Sequence, residues 1–288
     1  MATLPNFLYI GTGRAGSTWL FEALRQHPEV FVTPVKETNY FDLNHGRGLD
    51  WYSGFFADAG GCRAVGEIAH RYWRRPALAA QVRAELGPVK LLVCYRRPED
   101  FVLSAYLFAR RNGRFKGSPA DWMASRFEAE ALAYHALLNP WLDAFGREAI
   151  LIACFDDLKA DPAAFYAAVC RFLEVSEQPL PAGLQGQVNA AARPRSAGLA
   201  LAVNWLSKRF KRRGGQRLIA WVKRQSLVQR LLYSPLAAGT KPALSDEARA
   251  TIRAIAEPEL AQLDAYFGTR FRPRWYGAAD SVPAARAA

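Results

Sequence analysis

A glycine-rich segment near the start of the chain has the composition of an anion-binding loop. It reads Gly11-Thr12-Gly13-Arg14-Ala15-Gly16-Ser17-Thr18 and lies between a predicted strand and a predicted helix. Glycines let backbone N–H groups converge on an anion, and the N-terminus of the following helix adds the positive end of its dipole. A Walker A loop shares this glycine spacing but needs lysine where this chain has Ser17. The segment therefore predicts a phosphate or sulfate site unlike that of a magnesium-dependent kinase, and a glycine-rich turn without a ligand is the alternative.

This loop resembles the 5′-phosphosulfate-binding loop of sulfotransferases that use 3′-phosphoadenosine 5′-phosphosulfate (PAPS). The shared residues are Gly11, Arg14 and the run Gly16-Ser17-Thr18-Trp19. Most members of that family carry lysine at the position of Arg14, and the planar donors of arginine suit the same sulfuryl and phosphate oxygens. The resemblance implies that the phosphosulfate is held by Arg14, Ala15, Gly16, Ser17 and Thr18. It also implies that Trp19 stacks on adenine, and a core tryptophan on an amphipathic helix is the open alternative.

A second motif of the same family follows the next long predicted strand. The run Arg96-Arg97-Pro98-Glu99-Asp100 ends that strand, and Ser104 comes eight residues after Arg96. This spacing is similar to the family's 3′-phosphate-binding motif, in which a strand-end arginine and a serine on the next helix grip the phosphate. The resemblance implies these roles for Arg96 and Ser104, since a guanidinium forks onto phosphate oxygens and a hydroxyl donates to them.

A third segment, Lys36-Glu37-Thr38-Asn39-Tyr40-Phe41-Asp42, follows a short predicted strand. It resembles the segment that carries the general base in heparan-sulfate sulfotransferases and their bacterial relatives. The resemblance implies that Glu37 takes the proton of the acceptor and that Lys36 offsets charge on the leaving 5′-phosphate. A structural ion pair of Glu37 with Lys36 or Arg14 is the alternative. His70, where the chain departs from the family's Gly-Glu-Lys-Ser-Pro pattern, is either another candidate base or a structural histidine.

The region from residue 178 to residue 245 carries the excess positive charge. It has twelve Lys and Arg and no acidic residue, whereas the rest of the chain has 26 of each sign. Arg193 and Arg195 match a loop near the nucleotide in bacterial relatives, so the resemblance implies that they bind PAPS. Residues 205–232 mix basic and apolar side chains. This pattern predicts a helical lid over the acceptor, a peripheral membrane contact or a solvated pair of surface helices.

Short apolar segments alternate with helical patterns along the chain. The strands and helices that these patterns predict must position the three motifs. Strands are predicted at residues 7–10, 30–32, 90–95 and 149–155. Helices are predicted at residues 17–26, 77–86, 98–111, 121–145, 161–173 and 245–267. The alternation predicts an α/β fold, a P-loop-like parallel sheet with helices on both faces. Because ligands bind at the carboxyl ends of parallel strands, we expect the three motifs to meet at one edge of the sheet.

The length and composition indicate one domain whose cysteines are free thiols. The chain has 288 residues, 51% of them hydrophobic, which is enough for one substantial core. We expect a sulfotransferase domain over residues 1–276 with a helical C-terminal elaboration, and a disordered tail over residues 277–288. The four cysteines are scattered, and the sequence has no run of eighteen apolar residues and no signal-peptide pattern. We therefore expect a cytoplasmic, metal-free protein without disulfides or a membrane span.

The sequence thus predicts transfer of the sulfuryl group of PAPS to a hydroxyl or amine of a small-molecule, sugar or lipid acceptor. Two alternatives stay open. A P-loop small-molecule kinase would need lysine at position 17. A non-catalytic polyanion binder that uses residues 193–230 would leave both phosphate motifs unexplained. The expected partners are PAPS, its product 3′-phosphoadenosine 5′-phosphate (PAP) and an unidentified acceptor, with no specific nucleic acid.

Overall fold

Five parallel strands form the sheet in the computed structural model of the chain. The structure describes residues 3–185, the backbone of residues 192–194 and 233–235, and residues 242–277. The strands of the sheet are β1 (Phe7–Tyr9), β2 (Val30–Val32), β3 (Ala64–Ile68), β4 (Lys90–Tyr95) and β5 (Ile150–Cys154). They lie in the order β2-β3-β1-β4-β5, and every neighbouring pair is parallel. The prediction of an α/β fold with a parallel sheet is confirmed.

Helices pack on both faces of this sheet, as predicted. Within the described residues they are α1 (Ser17–Leu24), α2 (Leu49–Ser53), α3 (Leu78–Leu86), α4 (Pro98–Arg111), α5 (Pro119–Arg126), α6 (Tyr134–Phe145), α7 (Phe155–Ala160), α8 (Pro162–Leu173), α9 (Asp246–Phe267) and α10 (Phe271–Tyr276). Successive side chains of a strand point to opposite faces, so each strand feeds two cores. On β4, Leu91 and Val93 pack with α3, α6 and α9. Leu92 and Cys94 pack with α1 and α8 on the other face.

The strand β3 lies inside the sheet, where the sequence predicts no strand. It pairs with β1 on one side and with β2 on the other, and Gly66 is the partner of both Phe7 and Val32. A Cβ at Gly66 would lie 2.4 Å from the ring of Phe7, so the close packing of that ring requires glycine. The next residue, Glu67, is fully buried. A glycine and a glutamate interrupt the continuous apolar run that predicts a buried parallel strand.

The single helix predicted over residues 121–145 is wrong, because two helices, α5 and α6, occupy this region. Ser118 caps α5 by accepting a hydrogen bond from the N–H group three residues later, at 3.2 Å. The helix ends at Phe127, whose backbone is extended. The chain becomes helical again where Glu259 of α9 accepts hydrogen bonds from the N–H groups of His135 and its successor, both at 2.9 Å. This cap is a tertiary contact that the local sequence does not reveal.

Of the basic region, the structure describes residues 178–185 and 242–245 and the backbone of residues 192–194 and 233–235. The strands β6 (Ala192–Pro194) and β7 (Tyr233–Pro235) pair in antiparallel fashion, and β6 lies beside α4. Residues 205–232 and the tail after Gly277 lie outside the described residues, so the lid, the membrane contact and the disordered tail stay predictions. Within the described part of the chain, every helix is too short or too polar to cross a membrane.

Candidate functional site

The three motif segments meet at one edge of the sheet, as the parallel arrangement predicts. The loop after β1 contacts the turn after β2, because Nζ of Lys36 donates a hydrogen bond to Oγ of Ser17 at 3.2 Å. The same loop contacts α4, since Nε of Arg14 donates to Oγ of Ser104 at 3.1 Å. It also contacts the end of β4, where Nη1 of Arg96 donates to the carbonyl oxygen of Arg14 at 2.9 Å.

The loop from Gly11 to Gly16 is held close to β4. A Cβ at Gly11 would lie 2.5 Å from the backbone nitrogen of Cys94, so only glycine fits there. The hydroxyl of Thr12 donates to the carbonyl oxygen of Cys94 at 2.8 Å. Gly16 then begins α1 with a left-handed backbone (φ 86°), and no side chain caps the first turn. The first N–H groups of α1 therefore face outward with the positive end of the helix dipole.

The guanidinium of Arg14 is the cationic centre of this loop. Besides its hydrogen bond to Ser104, it lies over the ring of Phe108, 4.5 Å from the ring centroid. Burial lowers the pKa of Arg14 to about 10, and the charges of Arg96 and Arg111 lower it in the same direction. Arg14 is still protonated at neutral pH, so the loop carries a desolvated positive charge that an anion would stabilise.

Arg96 and Arg97 are neighbours in sequence, but they point to different surroundings. The guanidinium of Arg96 lies over the ring of Phe155, 4.8 Å from the ring centroid, and burial lowers its pKa. Its Nε is buried and has no hydrogen-bond partner among the described residues. Nε of Arg97 instead lies 3.1 Å from the Glu99 carboxylate, and its guanidinium faces the ring of Tyr276. Arg96 therefore belongs to the site, and Arg97 belongs to a structural ion pair.

The carboxylate of Glu37 lies between two basic groups. Nζ of Lys36 is 2.9 Å from its Oε1, so the predicted Lys36–Glu37 ion pair is present. Nδ1 of His70 is 2.8 Å from the same oxygen, although it is not aligned for a full hydrogen bond. The His70 ring packs against Gly13, where a Cβ would lie 2.8 Å from it. Burial raises the pKa of Glu37, but His70 and Lys36 together outweigh burial and lower it to about 2. Glu37 is therefore ionised.

Trp19 lies in the core on the α1 side of the sheet. Its side chain is 5% exposed, its Nε1 donates to the carbonyl oxygen of Leu184 at 2.8 Å, and its ring meets the ring of Phe165 edge-on. These contacts agree with the alternative that Trp19 is a core tryptophan on an amphipathic helix. The backbone of Arg193 lies on β6 beside α4, and the side chain of Arg193 and the whole of Arg195 lie outside the described residues.

Sequence reasoning missed the aromatic rings that support the two site arginines. Phe108 follows Ser104 by four residues on α4, so both lie on the same face of the helix. This spacing was the available signal for the contact of Phe108 with Arg14. No comparable signal existed for Phe155, because it reaches Arg96 from the end of β5.

Comparisons with known proteins agree with this geometry. Residues 4–190 match the family of the sulfotransferase domain. Membrane-associated sulfotransferase kil1 of Dictyostelium discoideum is 32% identical over 109 residues, which are 37% of this chain and 23% of that protein. Heparan sulfate glucosamine 3-O-sulfotransferase 3B1 of Mus musculus is 27% identical over 180 residues, which are 59% of this chain and 46% of that protein.

The chain thus spans less than half the length of these two curated relatives. The crystal structure of a sulfotransferase from Alicyclobacillus acidocaldarius matches with a TM-score of 0.59 and 26% sequence identity. That match covers 79% of this chain and 99% of the other. Because the domain match extends over more than half of the residues and includes all three motifs of the site, the chain belongs to the sulfotransferase family.

Proposed function

We propose that this chain transfers the sulfuryl group of PAPS to a hydroxyl or amine of an acceptor. The observation that carries the proposal is the meeting of Arg14, Ser104 and Arg96 at the N-terminus of α1. Arg14 is 90 residues from Ser104 and 82 residues from Arg96 in sequence, yet direct hydrogen bonds join it to both. Such a site suits a ligand with two phosphate groups, with the 5′-phosphosulfate at the loop and the 3′-phosphate at Arg96 and Ser104.

The residues present fit PAPS in their donors and charge. Nε of Arg96 is a buried donor without a partner among the described residues, and buried donors in folded proteins are nearly always satisfied. The N–H groups from Gly16 to Thr18 open α1 without a side-chain cap, so they are free to bind an anion. PAPS, when bound, supplies the sulfuryl group and a phosphate that leaves with negative charge. Arg14 neutralises that charge, and because it keeps its proton at neutral pH it acts by charge alone.

Glu37 is the general base of the proposed reaction. It accepts the proton of the acceptor as the new bond to sulfur forms and the bond from sulfur to the 5′-phosphate oxygen breaks. Lys36 touches both Glu37 and Ser17 of the donor loop, so it lies between the base and the departing charge. As Lys36 turns toward the donor, Glu37 loses one of the two basic groups that lower its pKa and becomes a stronger base.

Further residues are also proposed to bind the cofactor. Arg193 is proposed to contact the nucleotide, because β6 lies beside α4, the helix that carries Ser104. Arg195 is a prediction from the family resemblance. Of the two roles predicted for Trp19, adenine stacking and core packing, its contacts favour core packing. The acceptor class, a membrane contact through residues 205–232 and a cytoplasmic location are predictions from the sequence.

Calorimetric titration with PAP, 5′-AMP and ATP, without added metal, tests the proposal. PAP should bind with micromolar or tighter affinity, and removal of its 3′-phosphate should weaken binding about a hundredfold, the loss of two charge-assisted hydrogen bonds from Arg96. Radiolabelled PAPS with a panel of hydroxyl and amine acceptors then tests the transfer itself. Equal binding of PAP and 5′-AMP, or a magnesium-dependent preference for ATP, would refute the proposal and favour a polyanion binder or a kinase.

A further inference from the structure

A fully buried carboxylate lies directly behind the turn that carries Glu37. This is Glu67 of β3, which is 0% exposed and has no part in the proposed mechanism. Its Oε1 accepts two hydrogen bonds from Thr38, one from the backbone nitrogen and one from Oγ1, both at 2.6 Å. Its Oε2 accepts hydrogen bonds from the hydroxyls of Tyr52 at 2.9 Å and Tyr72 at 3.2 Å. All four donors therefore converge on a single carboxyl group.

Burying a carboxyl group inside a sheet costs free energy, so the presence of Glu67 at this position needs an explanation. Burial raises the pKa of Glu67, while the hydrogen bonds from Thr38, Tyr52 and Tyr72 oppose that rise. Replacing a buried polar group together with its hydrogen-bond partners by apolar groups of similar shape can be nearly neutral for stability. Stability alone thus gives little reason for a glutamate at this position. The two hydrogen bonds from Thr38 give a more specific reason, because they fix the residue that follows Glu37 in the site.

The backbone is left-handed on both sides of Thr38. Glu37 and Asn39 have φ of 66° and 53°. This conformation is tolerated by asparagine but is unfavourable for glutamate, and at Glu37 it persists because surrounding contacts enforce it. Nδ2 of Asn44 donates to the carbonyl oxygen of Thr38 at 2.8 Å, while Glu67 holds its nitrogen and its hydroxyl. Every polar group of Thr38 is therefore fixed, and the Glu37 carboxylate is held where Lys36 reaches it.

We propose that Glu67 is a positioning residue for sulfuryl transfer, because it clamps Thr38 and thereby holds the Glu37 carboxylate at the site. The inference rests on the proposed function, in which Glu37 is the base. Glu67 contacts neither the donor loop nor Arg96 among the contacts described for it, so its influence reaches the reaction through Glu37. Weakening the clamp should therefore slow the transfer step and leave donor affinity unchanged.

Two substitutions that each remove one hydrogen bond to Glu67 separate positioning from stability. Thr38→Val removes the bond from Oγ1 and keeps the shape of the side chain, whereas Thr38→Ser keeps the bond. Tyr52→Phe is the matched control, because it removes one bond to the other oxygen and leaves both contacts with Thr38 intact. Thermal unfolding of all variants shows that they fold and reports how much stability each lost bond contributes.

The first readout is the pKa of Glu37, measured by carbon-detected NMR of the labelled carboxyl groups and assigned with Glu37→Gln. In the wild type and in Tyr52→Phe this pKa should lie well below the ordinary value. In Thr38→Val it should move up toward the ordinary value as the carboxylate leaves Lys36 and His70, and Thr38→Ser should restore it. The second readout is PAP release from PAPS, with water or an acceptor from the screen. Thr38→Val should lower kcat about tenfold, while KM for PAPS and PAP affinity stay unchanged.

Similar effects of Thr38→Val and Tyr52→Phe on the Glu37 pKa and on kcat would overturn the inference, because Glu67 would then serve stability alone. An unchanged Glu37 pKa in Thr38→Val would overturn it as well. Failure of the proposed function has a different signature, either no PAP binding by the wild type or a wild-type rate of PAP release in Glu37→Gln. An inactive Glu37→Gln beside a fully active Thr38→Val would refute the role of Glu67 and leave the proposed function standing.

Discussion

Replacing Arg96 by alanine should abolish the preference for a 3′-phosphorylated nucleotide. The Nη1 of Arg96 is used by the carbonyl oxygen of Arg14, which leaves its buried Nε and its other terminal nitrogen for a phosphate. Hydrogen bonds to charged groups contribute about 1.5–3 kcal/mol each, so two such bonds correspond to a loss of about 3 kcal/mol or more. Since 1.4 kcal/mol is about tenfold in affinity, PAP binding should weaken about a hundredfold.

Arg97→Ala is the matched control for this prediction. It removes the same charge one residue away, but Arg97 faces Glu99 and Tyr276 instead of the site. We expect PAP affinity within about twofold of the wild type in Arg97→Ala, because the Arg97 charge is paired with Glu99 and its side chain is exposed enough to be screened by water and salt. Binding of 5′-AMP should change little in either variant, since it lacks the 3′-phosphate.

The assay is calorimetric titration of both variants and the wild type with PAP and 5′-AMP at one fixed ionic strength. The decisive quantity is the ratio of the two dissociation constants, which should fall to near unity in Arg96→Ala alone. An equal loss of PAP and 5′-AMP affinity in Arg96→Ala would refute the reasoning, because it would mean that Arg96 only supports the loop through Arg14. An equal loss in Arg97→Ala would mean that general charge attracts the nucleotide.

Three further predictions concern the loop, the base and the core. Gly11→Ala places a Cβ 2.5 Å from the Cys94 backbone, so the free energy of unfolding measured in urea should fall by about 3 kcal/mol. Gly46→Ala is the control, because a Cβ there meets open space, and its free energy of unfolding should stay within about 0.5 kcal/mol of the wild type. Equal unfolding midpoints for the two variants would contradict this prediction. The pKa of Glu37 is about 2, below its ordinary 4.5, so its ionised form stabilises the fold above about pH 4.5 and that stabilisation fades as the pH falls toward 2. The unfolding free energy of the wild type relative to Glu37→Gln should thus be about 2 kcal/mol smaller at about pH 3 than at about pH 6, and a constant difference would count against the ion contacts. Trp19→Leu should lower stability by about 2–3 kcal/mol with PAP affinity within about twofold, and a tenfold loss of affinity would favour adenine stacking.

The positions of the donor-site residues could be predicted because their signals are local. The glycine spacing of residues 11–16 and the eight-residue step from Arg96 to Ser104 are visible in the sequence. Alternating strands and helices then predict a parallel sheet, and a parallel sheet brings strand ends together. The observed contacts of Arg14 with Ser104 and with Arg96 follow from this logic.

The support of Glu37 could not be predicted from the sequence, because it depends on which strand lies between β1 and β2. That strand is β3, whose Gly66 and Glu67 break the apolar pattern of a buried strand. Once β3 is in place, Glu67 reaches Thr38, 29 residues away, and both tyrosines close over its other oxygen. The partners of a buried carboxylate are a property of the assembled sheet, and local propensity carries no information about them.

The short pairing of β6 with β7 has a consequence for how this chain can vary. Because these two strands pair in antiparallel fashion, Pro194 and Tyr233 lie opposite each other, and the two ends of the segment between them are therefore close together. Loop closure costs grow only slowly with loop length, so such a segment can lengthen, shorten or be exchanged at small cost to folding. The pairing of β6 with β7 is therefore compatible with connecting segments of different lengths beside α4, the helix that carries Ser104. A chimera that keeps Arg195 and carries a short glycine-serine turn between it and Tyr233 should therefore fold and still bind PAP.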